Sequence, residues 1–389
     1  MRPTEMSMVQ VNPMYQTNTT EPVKIREQAH TLVLWYQHHH RNMPWRETLD
    51  PYSIWVSETM LQQTRVETVI PYYHQFMESF PTVRELAAAD EQTVLKHWQG
   101  LGYYSRARNL HRAAQQVVSL HGGRIPEKLE DFRALPGVGP YTAGAVFSIA
   151  YNQPVPAVDG NVLRVVTRFL GIFHPIETAA ARQAVTAHVA KWLREEQPRY
   201  LTQALMELGA TVCVPKSAKC SECPLADTCF ARAENVVEQL PVRKQKADRK
   251  CIDVVALWWE ADGKLWMEQR PDSGLLAGMW QLPAWEVGAA GHDDLALERA
   301  LKERFAEWVY RLHAERAPAG DDLPSFAKIA HEKHVFTHLE WDVHVFRPIF
   351  TERGLPVPEP DHRRPVPLNE VHTLPLPRVY EKLLQQIYG

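Results

Sequence analysis

Apolar residues recur at three- and four-residue spacing through most of the chain up to about position 225, the period that lines one face of a helix. The pattern predicts helices over Ile25 to His39, Ser53 to Phe76, Val83 to Ala88, Glu91 to Gln99, Ser105 to His121 and Leu129 to Ala134. It continues over Thr142 to Ala150, Asn161 to Phe169, Thr178 to Trp192 and Tyr200 to Thr211. In the second of these, Ile54, Trp55, Met60, Leu61 and Val69 are candidate core positions, and Pro71 is expected to break or kink the helix.

After Cys229 the period is lost. The stretch ARAENVVEQLPVRKQKADRK, with Arg243, Lys244, Lys246, Arg249 and Lys250 close together, reads as an interdomain linker. Strand-like runs follow, DVVALWW (253–259), KLWMEQR (264–270) and HVFTHLEWDVHVFRPIF (334–350), with helical patterns at Leu295 to Trp308 and Arg378 to Ile387. In the last strand-like run Val335, Thr337, Leu339, Trp341 and Val343 alternate with Phe336, His338, Glu340, Asp342 and His344, as in one half-buried strand. The expected organisation is a polar tail over residues 1–22, a mainly α region over 23–230, a linker over 231–250 and an α+β domain over 251–389.

Composition narrows the class. With 45% hydrophobic and 23% charged residues in 389, the chain is globular and large enough to bury cores without disulfide staples. The longest uncharged stretch, Ala134 to Val158, is interrupted by Pro136, Pro140, Pro154 and Pro156, so no membrane span is expected. The N-terminus has neither a basic nor an apolar signal region, and a cytoplasmic monomer is the expectation. A net charge of -3 gives no global basic field, so any sign of nucleic acid must be local.

Cys213, Cys220, Cys223 and Cys229 form a C-x6-C-x2-C-x5-C array. Four thiolates so close in a reducing compartment suit an iron–sulfur cluster or zinc better than two disulfides. Many zinc sites pair two C-x2-C knuckles, and here there is one, which favours iron without removing zinc. Cys251 stands apart and is expected to be a buried apolar residue.

In LPGVGPYTAGAVFSIAY (135–151), Gly137, Val138 and Gly139 fit a sharp hairpin that leaves helix N-terminal N–H groups free for a phosphate. Two glycines alone also fit an ordinary helix–helix connection. Asp159 lies 20 residues beyond Gly139, in VDGNVLRV, and the cysteine array follows. Together with PWR (44–46), DPYSIWVSETMLQQTRVETVIPYY (50–73) and GLGYYSRARNL (100–110), these segments resemble the helix-hairpin-helix DNA glycosylase superfamily. More specifically, the chain resembles the adenine DNA glycosylases of the MutY type, from Val23 to the C-terminus. The resemblance implies a two-lobed helical region with a 4Fe-4S module and a Nudix-like C-terminal domain. It also implies a double-stranded DNA substrate in which adenine faces 8-oxoguanine or guanine, on the bacterial nucleoid, with other repair proteins as further partners.

Excising a base requires a proton for the leaving base and negative charge beside an oxocarbenium-like sugar. Glu58 has Ile54, Trp55 and Leu61 as helical neighbours, so an inward face would desolvate it and raise its pKa. By resemblance it protonates N7 of adenine and later helps activate water. Asp159 is placed to cap a helix; by resemblance it stabilises or transiently bonds the anomeric carbon, with Asn161 orienting it. Tyr141 stands where bifunctional relatives carry a lysine that forms a Schiff base, so a monofunctional glycosylase is expected. Chemistry on a stacked base also needs flipping. The resemblance puts Gln63 into the vacated stack and Tyr103 as a wedge, and sets Trp45, Arg46, Leu61 and Gln203 around the extruded adenine.

The run MEQRPDSGLLAGMWQLPAWEV (267–287) resembles a Nudix domain, but LALERALKERFAEW (295–308) lacks the clustered glutamates that hold Mg2+ in an active hydrolase. Binding rather than hydrolysis is expected. Phe336, Thr337 and His338 match the family's Phe-Ser-His loop for 8-oxoguanine, with threonine replacing serine. Three other readings remain weighed against this one: an endonuclease III-like pyrimidine glycosylase-lyase, a non-catalytic mismatch sensor and a nucleotide pyrophosphatase.

Overall fold

The structure is a computed structural model that describes residues 21–245, 248–310, 323–349 and 362–388. Most of the expected N-terminal tail, Lys246 of the basic run and Phe350 of the last strand-like run lie outside the described residues. Among those described, no helix is long and apolar enough to cross a membrane.

Two compact units emerge. The first takes the described residues up to Ala88 and those from Asn109 to 245; the second takes Ala89–Arg108 and the described residues from 248 onward. Residues 89–108, expected with the helical region, therefore pack with the C-terminal domain. Trp280 Nε1 donates to Gln92 Oε1 at 3.1 Å, and buried Arg108 reaches the Asp272 carbonyl at 2.6 Å.

The first unit is helical: α1 Glu21–His39, α2 Pro51–Leu61, α3 Val66–Ser79, α4 Val83–Ala88, then, beyond α5 Glu91–Trp98 of the other unit, α6 Ser105–His121 from Asn109 onward. It continues through α7 Leu129–Arg133, α8 Pro140–Ile149, α9 Gly160–Leu170, α10 Ala179–Trp192, α11 Pro198–Thr211 and the short α12 Phe230–Ala233. Leu32, Val166, Phe169, Trp192 and Leu205 are among the residues of one core, formed where α1, α9, α10 and α11 meet.

Every residue of α2 from Tyr52 to Met60 is buried, so it is a central helix and not an amphipathic one. Asp50 caps it, accepting from Ser53 N at 2.9 Å, and Pro51 supplies its first turn. The long helix expected over Ser53 to Phe76 is in fact two. The break falls at Gln62–Arg65, where Gln63 takes a φ of +60°, while Pro71 sits inside α3. There the ring forfeits one backbone bond, and burial of Val69, Tyr73 and Phe76 holds the helix across it.

Between α7 and α8 the backbone turns at Gly137, whose φ is +75° and whose missing Cβ leaves room for Asn109. Gly139 is extended (φ −88°) and serves as the N-cap of α8. Only the first of the two glycines therefore needs left-handed freedom. The expected linker is also partly built in: Leu240 is buried, its carbonyl accepts from Arg168 Nε at 2.9 Å, and Lys250 already opens a strand.

In the second unit the strands are β1 Lys250–Leu257, β2 Glu260–Ala261, β3 Lys264–Gln269, β4 Trp280–Gln281, β5 Ala284–Ala289, β6 Ser325–Val335, β7 Leu339–Ile349 and β8 Arg363–Pro367. One sheet runs β5-β1-β7-β6 with β1 and β7 parallel; the other pairs β3 with β2, β4 and β8. Helices α13 Asp294–Tyr310 and α14 Arg378–Tyr388 pack on the first sheet, so β7 is buried on both faces through Val343, His344, Val345 and Phe346. The single strand expected over 334–350 is the end of β6, a turn at 336–338 and β7, closed by Phe336 N donating to Leu339 O at 2.8 Å. Cys251, expected to be buried, is exposed.

Candidate active site and cysteine pocket

In the first unit a cleft of about 150 Å³ is lined by Trp45, Arg46, Glu58, Leu61, Tyr141, Asp159, Asn161 and Gln203, together with Arg41 and Glu207. Eight residues singled out from sequence thus meet in one place. Glu58 comes from central α2, Tyr141 from the first turn of α8 and Asp159 from the N-cap of α9, so three buried helix segments fix these side chains.

Glu58 is only 4% exposed. Burial pushes its pKa up to about 7, against the opposing hydrogen bond from Tyr141 and reinforced by the negative charge of Asp159. The Tyr141 hydroxyl donates to Glu58 Oε2 at 2.5 Å. Asp159 Oδ1 accepts from Val162 N at 2.7 Å, and Oδ2 accepts from Asn161 Nδ2 at 3.0 Å. Burial raises Asp159 too, but these N–H donors and the Arg164 charge oppose it. Asn161 is itself held by Arg164 Nη2 at 2.8 Å on its Oδ1. One carboxyl is thus desolvated with a single donor, and the other is held by several. Such a pair suits a proton donor beside a standing anion.

The floor carries a charge network that sequence reasoning missed. Glu207 of α11, 1% exposed, accepts from Arg41 Nε at 2.8 Å and Arg46 Nη2 at 2.8 Å. Burial would raise Glu207, but the hydrogen bond from Arg41 and the charge of Arg46 outweigh it and hold the carboxyl low. The signal was present: Glu207 falls four residues after Gln203, between apolar Leu205 and Leu208, on a buried helix face. Tyr36 donates to Gln203 Oε1 at 3.0 Å, fixing that amide, and Trp45 packs edge-on against Tyr73.

Gln63 is exposed in the turn after α2, outside the cleft lining. In the second unit, Tyr103 is 45% exposed at φ +49°, with Arg106 stacked on its ring. The Tyr103 and Thr337 hydroxyls lie 3.0 Å apart, and Phe336 packs edge-on against Trp341. Thr337 and His338 are exposed at the β6–β7 turn. On α13, Glu298 pairs with Lys302 and Glu307 with Arg304, so these carboxylates are held by their helical neighbours.

The four cysteines line one small cavity of about 30 Å³, walled by Val165, Phe169, Leu208, Val212 and Leu225. Arg168 Nη1 approaches Cys213 Sγ at 3.4 Å. A tetrahedral zinc with bonds of about 2.3 Å would draw its sulfurs to about 3.8 Å. Four thiol donors around one apolar cavity fit a four-thiolate metal group, an iron–sulfur cluster or a single zinc.

Residues 56–195 match the HhH-GPD superfamily of base excision DNA repair proteins, and residues 254–386 match the NUDIX domain. A thermostable thymine-DNA glycosylase has a similar structure, with 27% identity and a TM-score of 0.50 over 55% of this chain and 98% of its own. The fold and the family match therefore define a base-excision DNA glycosylase. Relatives specify it further. The adenine DNA glycosylase of Schizosaccharomyces pombe is 32% identical over 81% of this chain and 80% of its own, and that of Homo sapiens 32% over 92% and 73%. That of Buchnera aphidicola subsp. Baizongia pistaciae is 33% identical over 65% and 72%. The chain belongs to the adenine DNA glycosylase family, and it hydrolyses the N-glycosidic bond of adenine in DNA.

Proposed function

We propose that the protein is a monofunctional glycosylase for adenine opposite 8-oxoguanine, and secondarily opposite guanine, and that it carries a 4Fe-4S cluster. The observation that carries the chemistry is the unequal pair Glu58 and Asp159 in one cleft, with Tyr141 beside them where an amine would be needed for lyase activity. Protonated Glu58 delivers its proton to N7 of adenine, and the C1′–N9 bond breaks with its electron pair leaving on the base. Asp159 faces the positive charge that develops on the sugar, and Asn161 and the α9 N-terminus hold its carboxylate in place. Water adds to C1′, its proton passes to the Glu58 carboxylate, and the products are free adenine and an abasic site.

Cys213, Cys220, Cys223 and Cys229 would hold the cluster. Their thiolates would cross-link the 213–229 segment over a cavity whose other walls come from α9 and α11. The free N–H groups at the start of α8 would take a backbone phosphate. Phe336, Thr337 and His338 would read 8-oxoguanine, a reading supported by the exposed β6–β7 turn and by the hydroxyl that threonine retains.

The decisive experiment is single-turnover cleavage of a labelled duplex with one 8-oxoguanine:adenine pair, analysed with and without alkali. Breaks at adenine that appear only after alkali support the proposal. Equal breakage without alkali identifies a lyase, and tight binding without cleavage identifies a sensor. Replacing Phe336 and His338 by Ala is expected to erase the preference over guanine:adenine; an unchanged preference places recognition elsewhere. The purified protein is expected to carry about four irons per chain, and stoichiometric zinc without iron would sink the cluster.

A further inference from the structure

A second constellation of ligating groups lies in the C-terminal unit, away from the cysteines. Asp253 of β1 and Asp342 of β7 are direct register partners in the parallel pair, and His344 of β7 is register partner to His331 of β6. Like charges set opposite one another on adjacent strands destabilise a sheet unless something cationic joins them. Each carboxylate has one oxygen already held. Asp253 Oδ2 accepts from the backbone N–H groups of Gly291 (2.9 Å) and His292 (3.0 Å), with His292 Nδ1 at 2.8 Å, and Lys333 Nζ lies 3.1 Å from Asp342 Oδ2. The other oxygen of each is turned to the same atom: His344 Nε2 is 3.6 Å from Asp253 Oδ1 and 3.4 Å from Asp342 Oδ1.

His344 is 7% exposed, and neither ring nitrogen has a hydrogen-bond partner. A buried imidazole left so, against two carboxylate oxygens, is costly. His331 stacks on it with ring centroids 4.8 Å apart and brings Nε2 to Asp342 Oδ1. The His331, Asp342 and His344 ligand atoms all lie within 4.8 Å of one another.

We infer that Asp253, His331, Asp342 and His344 form a binding site for a divalent transition-metal ion, with zinc as the fitting occupant. Imidazole and carboxylate in a four-member set match zinc, whose bonds of about 2.0–2.1 Å separate tetrahedral ligands by about 3.3 Å. The two contacts of His344 are close to that spacing; His331 must open from its hydrogen bond to Asp342, and Asp253, which meets the set through His344, must close on the other two. His292, Lys333 and the loop N–H groups orient the carboxylates from behind, as outer partners do in zinc proteins. Burial, with Lys328 next, lowers His344 below the ordinary histidine value. The ion would be structural, pinning β6 to β7 and β1.

The test uses the full-length iron-loaded protein, dialysed against EDTA and titrated with zinc chloride by calorimetry, with iron and zinc counted by mass spectrometry. One zinc per chain is expected at unchanged iron. Replacing exposed His331 by Gln is expected to weaken zinc at least about tenfold without moving iron, and Asp342→Asn to do the same. No uptake by the wild type at free zinc of about 0.1 mM, or equal uptake by His331→Gln, overturns the site. A circular dichroism spectrum of His331→Gln matching wild type shows that the loss is local.

Discussion

The Tyr141 hydroxyl donates to Glu58 Oε2 at 2.5 Å across the interface of α8 and α2. That bond is the largest influence opposing the burial that raises Glu58. Replacing Tyr141 by Phe removes a donor to the ionised carboxyl, so the carboxyl holds its proton to higher pH. The basic limb of the single-turnover pH–rate profile is expected to move upward, with excision retained. A limb that stays in place would mean that the phenol only packs.

Glu58 itself sets a trade between activity and stability. Its pKa rises from 4.5 to about 7 on folding, so between those values the folded chain holds a proton that the unfolded chain releases. Stability therefore falls as pH rises through that window, by about 3 kcal/mol in all. Glu58→Gln is expected to reduce excision by about 10²- to 10⁴-fold while raising the melting temperature at pH 8. A variant that melts lower than wild type at pH 8 would contradict the desolvated acid.

Much of this was readable from residues. Asp50–Pro51, Gly139–Pro140 and Asp159–Gly160 mark helix starts by their own chemistry, and α2, α8 and α9, which they open, carry Glu58, Tyr141 and Asp159 into the cleft. What was hidden is tertiary. The end of α2 at Leu61 has no breaker in LQQT, so Pro71 drew attention to the wrong place. The alternation of 334–350 runs unchanged through the Phe336–His338 turn, because a three-residue turn without glycine leaves a period-two pattern intact. Strand β6 carries Lys328, His331, Glu332 and Lys333 and reads as polar, since as an edge strand it is solvated on one side. Arg41 and Glu207 are 166 residues apart and become partners only when α1 and α11 pack.

Asp159 has two duties that separate by substitution. As N-cap it accepts from Val162 N at 2.7 Å, which asparagine also does; in the proposed mechanism it is an anion beside the sugar, a role with no neutral substitute. Asp159→Asn is expected to lose about 10²-fold or more in single-turnover excision while keeping its melting temperature and its affinity for the duplex. Asp159→Ala loses the cap as well and about 1 kcal/mol of stability, measured by urea unfolding. Equal stability of the two would remove the capping role, and retained excision in Asp159→Asn would remove the electrostatic one.

The approach of α8 to the strand of chain leading into Asp159 depends on Gly144. A methyl group there would overlap the Pro156 carbonyl and the following peptide, backbone atoms that cannot turn aside as a side chain would. Gly144→Ala must push Pro156–Ala157 away from α8, and Asp159 lies two residues beyond Ala157. The helix gains up to about 1 kcal/mol in propensity from alanine, whereas overpacking costs about 1–3 kcal/mol, so the net effect is destabilising. Because the displacement lands on the α9 N-cap, excision is expected to fall further than stability alone explains. Measured at a temperature where the variant is fully folded, the single-turnover rate should still be below wild type. A wild-type rate there would mean that α8 yields instead and that Asp159 keeps its place.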